Sequence, residues 1–362
     1  MEKHVITIRD IARALNTSVS TVSRALRDSS SISEERRRQI QEYAHEHGYR
    51  PNVLAAALRT SHAALKSNLI GVVLPEFEHY YFSCILTAIE ETCRENGYFV
   101  IAAQTGDSYE REREVVEAFC QQNVAGIIIS QAKDTVEYGH IESAIADGIP
   151  MVFVDRICTG VRTSRVVVDD YAASYTATEH LISCGCQRIA FLGSTMHLEI
   201  SKNRFNGYRD AVNRHGLHVD ERLVRQCDNR KETESTVPQL MTLDERPDGF
   251  FAINDDTALG VLYTCKKMGF RVPDDVCVCG FADGILAQSS DPQLTTIAQS
   301  GHDVGRLGAQ VMMDTISGAI PEGQFVSRVV KTKLVVRGTT RGPLSPNPSP
   351  EWEGSEVRKK SE

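Results

Sequence analysis

The sequence predicts a small all-α helix-turn-helix headpiece followed by an α/β core of two lobes with parallel, doubly wound sheets. Three observations predict it. Residues 7–51 carry apolar positions at helical spacing, divided into three short pieces by cap and turn signals. From Leu69 onward, apolar runs of strand length alternate with amphipathic helical stretches, the pattern of repeated βα units. At 362 residues the chain exceeds one ordinary domain and suits a small domain plus one or two larger ones.

In the first helix Ile8, Ile11, Ala12 and Leu15 recur at i, i+3, i+4 and i+7 and make one apolar stripe, with Thr7 as N-cap. Asn16 and Thr17 supply a turn. Ser18 then caps a second helix with Val22, Ala25 and Leu26 facing inward and Val19, Ser20, Ser23 and Arg24 facing outward. That outward face is small, hydrogen-bonding and basic, as a helix in the major groove of DNA requires. A third helix has Ser33 as N-cap, Glu34 and Glu35 in the first turn where the helix dipole favours them, and Gly48 as its stop. Ile40, Tyr43, Ala44 and His47 are expected to close the small core.

The net charge of −8 is unevenly placed. Residues 1–66 hold 11 Lys/Arg and 7 Asp/Glu, a balance of +4, and the remainder holds 29 and 41, a balance of −12. The basic part is thus small and N-terminal, while the acidic part stays off DNA and aids solubility. No apolar run reaches the length that spans a bilayer, and the N-terminus lacks the apolar stretch of a signal peptide, so a cytoplasmic protein with no membrane partner is expected. The ten cysteines read as small buried hydrophobes in a reducing compartment. Cys184-Gly-Cys186 and Cys277-Val-Cys279 are C-x-C pairs, not the C-x-x-C pairs of zinc sites, and no metal is expected.

After Pro51 the chain reads as a short Ala/Leu-rich helix from about Asn52 to Leu58 and then a polar connector, two turns that are marginal in water and order only when something packs on them. Strand signatures follow at 69–75, 98–105, 125–130 and 149–156, each a continuous buried run, with the helices between them ending at Gly97, Val124 and Gly148. A second series begins after VVVDD at 166–170 and continues at 188–194, 222–228, 248–254 and 275–282. From Leu294 the chain gives LTTIAQ, a helix ending near Gly318 and a final strand pair, VVKTKLVVRGTT. Two doubly wound halves place a ligand in the cleft between them, at the carboxyl ends of strands. The tail, rich in Pro, Ser and charge and without heptads, reads as disordered.

Thr7-Ile8-Arg9-Asp10-Ile11-Ala12, Val19-Ser20-Thr21-Val22-Ser23-Arg24 and Gly48-Tyr49-Arg50-Pro51-Asn52 together resemble the DNA-binding segment of the LacI/GalR family of bacterial transcription regulators. The resemblance extends over residues 5–341 and implies a periplasmic-binding-protein-like core with three crossings between the lobes. It implies a headpiece at 1–50, a hinge helix and linker at 51–68, and a core at 69–341. Lobe 1 takes about 69–165 and 296–325, lobe 2 about 166–295 and 326–341, and the tail is 342–362.

The implied function is a homodimeric regulator, a repressor of carbohydrate-use genes, bound to a pseudo-palindromic operator in double-stranded DNA. Val19 and Ser20 are expected to read base edges and Arg24 a guanine; Thr7, Ser18, Thr21, Ser23 and Arg27 are expected to position phosphates. By the resemblance, Asn52, Ala55 and Leu58 belong to a hinge helix in the minor groove, with Leu58 as a wedge and Ala55 allowing close approach. The implied effector site comprises Tyr81, Phe82, Asp155, Arg156, Arg204, Asn254 and Asp255, a set suited to a sugar or polyol effector, with no cofactor. Ala282 stands where many members carry an acidic residue, so either Asp283 takes that role or the ligand lacks the contact. Asn229 stands where several members place a stacking aromatic.

Competing classes fit less well. No G-x-S-x-G elbow or Walker loop is present, and Gly301, Gly305 and Gly308 lie inside a helical pattern and not after a strand, so no enzyme is expected. A sugar-binding receptor with the same core would need export and has no use for the headpiece. An activator or global regulator is indistinguishable from a repressor at this level.

Overall fold

The structure is a computed structural model that describes residues 6–26, 28–49 and 67–342. Arg27, Asn52, Ala55 and Leu58, with the expected hinge helix and the tail beyond residue 342, lie outside the described residues. The chain divides into two units, Met1–Lys66 and Ser67–Glu362.

The first unit contains α1 (Ile8–Ala14), α2 (Val19–Ala25) and α3 (Glu34–Glu46). Thr7 and Asp10 form a reciprocal capping box, and the Ser18 hydroxyl accepts from the Thr21 N–H at 3.0 Å. Ser33 takes the N-cap position of α3 but makes no side-chain cap bond. Ile11, Ala12, Val22, Ala25, Ile40 and Ala44 are buried together as its core. His47 does not join them: it is exposed and stacks on Tyr43, with ring centroids 4.0 Å apart. It is the C-cap residue of α3, and its ring is held along the helix end, with Nδ1 2.9 Å from the Tyr43 carbonyl oxygen.

The second unit begins with β1 (Leu69–Leu74), α4 (Tyr80–Glu95), β2 (Phe99–Gln104), α5 (Tyr109–Gln121), β3 (Gly126–Ile129), α6 (Gly139–Ala146), β4 (Met151–Val154) and β5 (Ser164–Val168). It continues with α7 (Asp170–Ser183), β6 (Ile189–Gly193), α8 (Glu199–Arg214), β7 (Val224–Gln226), α9 (Arg230–Met241), β8 (Gly249–Ala252), α10 (Asp255–Lys267), β9 (Cys277–Ala282), α11 (Ile285–Ser289) and β10 (Thr295–Gln299). It closes with α12 (Gly301–Ser317), β11 (Ser327–Val330) and β12 (Thr332–Val335).

Two six-stranded sheets result, in the orders β11-β5-β4-β3-β1-β2 and β12-β10-β9-β8-β6-β7. All pairings are parallel except β10 with β12. Continuous Val/Ile/Leu/Phe runs such as IIIS and GFFA make strands buried on both faces, which is what helices on both sides of a parallel sheet demand.

Three sequence expectations change. Lobe boundaries at 165/166 and 295/296 would cut through β5 and β10; β5 belongs wholly to the first sheet and β10 wholly to the second. The final strand pair is not a pair. β11 runs parallel to β5, with Ser327 opposite Arg165, and β12 runs antiparallel to β10, with Val335 opposite Thr296. Lys331 alone separates β11 from β12, too short a link for a hairpin, so the chain passes from one sheet to the other. The lobes are therefore 69–168 with α12 and β11, and 170–299 with β12, joined by three crossings. Finally, β2 is an edge strand and not a buried one: Phe99 is 64% and Ile101 38% exposed.

The glycines inside α12 serve close packing. A Cβ on Gly305 would collide with the backbone carbonyl of Ile85 in α4, and one on Gly301 would press on the carbonyl of Tyr81. The two helices thus meet backbone to backbone, and Gly318, with φ +79°, ends α12 in the left-handed conformation that glycine adopts freely.

Candidate functional site

The headpiece presents α2 as its polar face. Ser20 and Arg24 are exposed, and the Arg24 Nε donates to the Ser20 carbonyl at 3.3 Å, which turns the guanidinium along the helix surface. Val19 is half-buried, with part of its side chain packed on the small core. Thr7 and Ser18 spend their hydroxyls on capping, so what they offer an anion is chiefly the N–H groups and positive end of the helix they start. Thr21 and Ser23 are half-buried along α2, Thr21 with its hydroxyl 2.8 Å from that of Ser18. Two side chains of α3 hold the frame: Arg36 donates to the Leu15 carbonyl at 2.5 Å, and Gln41 donates to the Ala25 carbonyl at 3.1 Å.

Between the lobes lies a cleft of about 750 Å³ at the carboxyl ends of strands from both sheets. Tyr81 and Phe82 enter it from the first turn of α4, and both are buried. Asp155 follows β4 directly, with φ +61°, and is 5% exposed. Arg156, the next residue, pairs with Asp107 and lies over the Phe82 ring, 5.7 Å from its centroid. Arg204 on α8 is clamped by Asp170 at 2.7 Å and by the Ile253 carbonyl at 2.6 Å, with its guanidinium 3.7 Å from the centroid of Phe281. Thus a guanidinium already lies against the ring of Phe82, one of the two aromatic residues expected in the effector site, and another against Phe281.

Asn254 and Asp255 line the cleft with other tasks already in hand. Asn254 caps α10 by accepting from the Thr257 N–H at 2.7 Å and donates to the Asp228 carbonyl at 2.7 Å. Asp255 accepts from the Gly284 N–H at 2.8 Å and from the Thr296 hydroxyl at 2.6 Å. Asn229 also lines the cleft and caps α9. Asp283 is the residue that sequence reasoning misplaced. Ala282 and Asp283 both have positive φ, and the turn they make directs the Asp283 carboxylate to Arg337, 2.6 Å away, outside the cleft lining.

The structure adds groups that the sequence reading passed over. Lys133, beyond β3, reaches Asp228, beyond β7 in the other lobe, at 3.0 Å and Asp107, beyond β2, at 3.5 Å. Asp228 also accepts from Ser194, which follows β6, and His197 of the second lobe meets the Lys133 carbonyl. Every one of these residues sits in the loop past a strand end, the rule that selected Asp155; applied to β2, β3, β6 and β7 it selects them too.

The electrostatics follow from this arrangement. Burial pushes the Asp170 carboxyl up to about 6 and Asp155 adds to the rise, while Arg204 opposes it. Burial works against ionisation of Asp107, but the charges of Arg156 and Lys133 prevail and hold it below the usual carboxylate range. Burial first, then the charges of Asp155 and Asp170, push the Tyr81 phenol well above its ordinary value. Among the described residues no cluster of His, Cys, Asp or Glu is arranged to hold a metal ion, and no helix is long and apolar enough to cross a membrane.

Comparison with known proteins places both units. Residues 7–52 match the profile of bacterial regulatory proteins, lacI family, and residues 178–340 that of a periplasmic binding protein-like domain. The HTH-type transcriptional regulator DegA of Bacillus subtilis (strain 168) is 30% identical over 337 residues, which cover 92% of this chain and 98% of that protein. The HTH-type transcriptional repressor CytR of Escherichia coli (strain K12) is 28% identical over 339 residues, covering 92% and 96%. The solved complex of the transcriptional regulator CelR with cellobiose superposes with a TM-score of 0.70 at 25% identity, covering 92% of this chain and 99% of that one. The lac repressor dimer bound to operator and the anti-inducer ONPF superposes with a TM-score of 0.79 at 24% identity, covering 93% and 100%, and shares the fold.

Proposed function

The chain belongs to the lacI family of bacterial regulatory proteins, and we propose that it acts as a homodimeric repressor of carbohydrate-use genes, controlled by a small polyhydroxylated effector in the interlobe cleft. The observation that carries this reading is the union in one chain of a capped helix-turn-helix, exposing Ser20 and Arg24, with a cleft floored by buried polar side chains. In CelR the partner is cellobiose, and relatives also include a ribose operon repressor from Halalkalibacterium halodurans, 30% identical over 337 residues. Both support a sugar-like ligand here. The regulator role in these relatives, and the structural duties of Asn254, Asp255 and Asp170, support a binding protein without catalysis, working in the cytoplasm where its DNA is.

Dimerisation is supported by exposed apolar side chains on each lobe: Phe99 and Ile101 on the edge strand of the first and Tyr263 on the second. Two headpieces then address two half-sites of a pseudo-palindrome. Control is a population shift: an effector that binds one lobe angle better favours that angle, and DNA affinity follows, by no more than the effector's differential affinity for the two states.

Recovery and sequencing of genomic fragments bound by the purified protein tests this reading. One shared palindrome beside carbohydrate transport or hydrolase genes is the expected result. Recovery without any common motif, repeated in the presence of a panel of sugars, would contradict it.

A further inference from the structure

Seven acidic side chains line the cleft against three strongly basic ones, Lys133, Arg156 and Arg204. Each of the three is already engaged. Lys133 lies between Asp107 and Asp228, Arg156 pairs with Asp107, and Arg204 is bound by Asp170. Asp155, by contrast, is 5% exposed and, among the described residues, forms no ion pair. Beside it lies the buried Tyr81 hydroxyl, close enough to Asp155 for that carboxylate to help raise its phenol. At the bottom of the cleft, then, the guanidinium of Arg204 is paired with Asp170, and Asp155, close enough to raise the Asp170 carboxyl, has no cation of its own among the described residues. Burial chiefly raises the Asp170 carboxyl to about 6, and the charge of Asp155 adds to the rise. Further out, Glu76, Glu78 and Asp256 line the cleft without an ion pair among the described residues.

Resting on the effector reading above, we infer that the ligand of this cleft is an amine-bearing polyol cation, such as an amino sugar, whose ammonium group pairs with Asp155, and that phosphorylated or carboxylated sugars are excluded. A buried carboxylate lacking a counter-ion is costly, and an ammonium that supplies one makes a charge-assisted hydrogen bond in a site of low dielectric. The Tyr81 hydroxyl gives the ligand a second polar partner at the same depth. An anionic ligand meets the opposite situation. Each of Lys133, Arg156 and Arg204 is already paired, so to reach one of them it would have to displace Asp107, Asp170 or Asp228 while adding charge to an acidic cleft.

The test uses the full-length protein and matched triplets of glucose, galactose and mannose, each as the parent sugar, the 2-amino-2-deoxy sugar and the 6-phosphate, measured by calorimetry at about pH 6.5, where the amine is protonated. The expected result is that at least one amino sugar binds about tenfold or more tightly than its parent, that no 6-phosphate binds, and that Asp155→Asn removes the preference for the amine. Binding of a 6-phosphate as tight as its parent, or an amine preference that persists in Asp155→Asn, overturns the inference while leaving the effector site in place. No binding by any of the nine overturns the hexose-effector reading itself, and the inference falls with it.

Discussion

Lys133 and Asp228 join the two lobes across the mouth of the cleft, the ammonium 3.0 Å from the carboxylate. Asp107 holds the same ammonium from the first lobe, and Ser194 steadies Asp228 from the second. Because both partners are partly buried, the pair is less screened than a surface one, and it favours a closed arrangement whether or not a ligand is present.

Asp228→Asn keeps the shape and loses the charge. The closed state should weaken by about 0.5–1 kcal/mol, the scale of a partly exposed pair. Distances between a spin label on each lobe should lengthen in the variant at low salt, and added salt should lengthen them in the wild type but leave the variant unchanged. Identical distance distributions would show that Lys133 and Asp228 do not hold the lobes.

Arg24→Ala should cost about 1–3 kcal/mol at the specific operator and relax base preference at one position, as loss of a guanine contact does. Anisotropy titrations on specific and random duplexes separate the alternatives: an equal loss on both makes Arg24 a phosphate contact.

Asp170 gives a pH dependence of defined sign. Its carboxyl titrates near 6 in the folded protein, chiefly because it is buried, and near 4 in the unfolded chain. The folded state therefore holds a proton that the unfolded state has lost. This group's contribution to stability is fully present below about pH 4 and declines as pH rises through about 6, by up to about 3 kcal/mol. Urea unfolding at several pH values between these limits should show that decline in the wild type, and Asp170→Asn, which cannot titrate, should lack it. Parallel pH profiles for the two proteins would contradict the buried-carboxylate account.

Gly305→Ala should destabilise the second unit by about 1–3 kcal/mol, because the added methyl meets the carbonyl of Ile85 and α4 must move off α12. An unchanged urea midpoint would mean that the two helices are not in the close contact described.

Much of this fold was legible in the sequence because its signals are local. The strands at 69–74 and 126–129 are continuous apolar runs, Thr7 and Ser18 are caps fixed by the next three residues, and Gly318 stops the helix it was expected to stop. What failed was non-local. Nothing near Ser327 says that it pairs with Arg165, 162 residues earlier, or that Val335 pairs with Thr296 in the other sheet. The exposure of Phe99 follows from the edge position of β2, which strand order decides and composition does not. In the cleft, Tyr81, Phe82, Asp155, Arg156, Arg204, Asn254 and Asp255 do come together, but Asp283 is captured by Arg337, a residue distant in sequence. Lys133 carries no motif, and only its place beyond β3 marks it.

The central claim, that a ligand in the cleft sets the affinity of the headpiece for DNA, is tested most directly by titrating the recovered operator with wild type and Asp155→Ala, each with and without the bound sugar. The account predicts that the sugar changes the wild-type operator Kd by about 5–150-fold, and that Asp155→Ala binds the operator as the ligand-free wild type does and ignores the sugar. A sugar effect of equal size in both proteins, or loss of operator binding by Asp155→Ala alone, would contradict it.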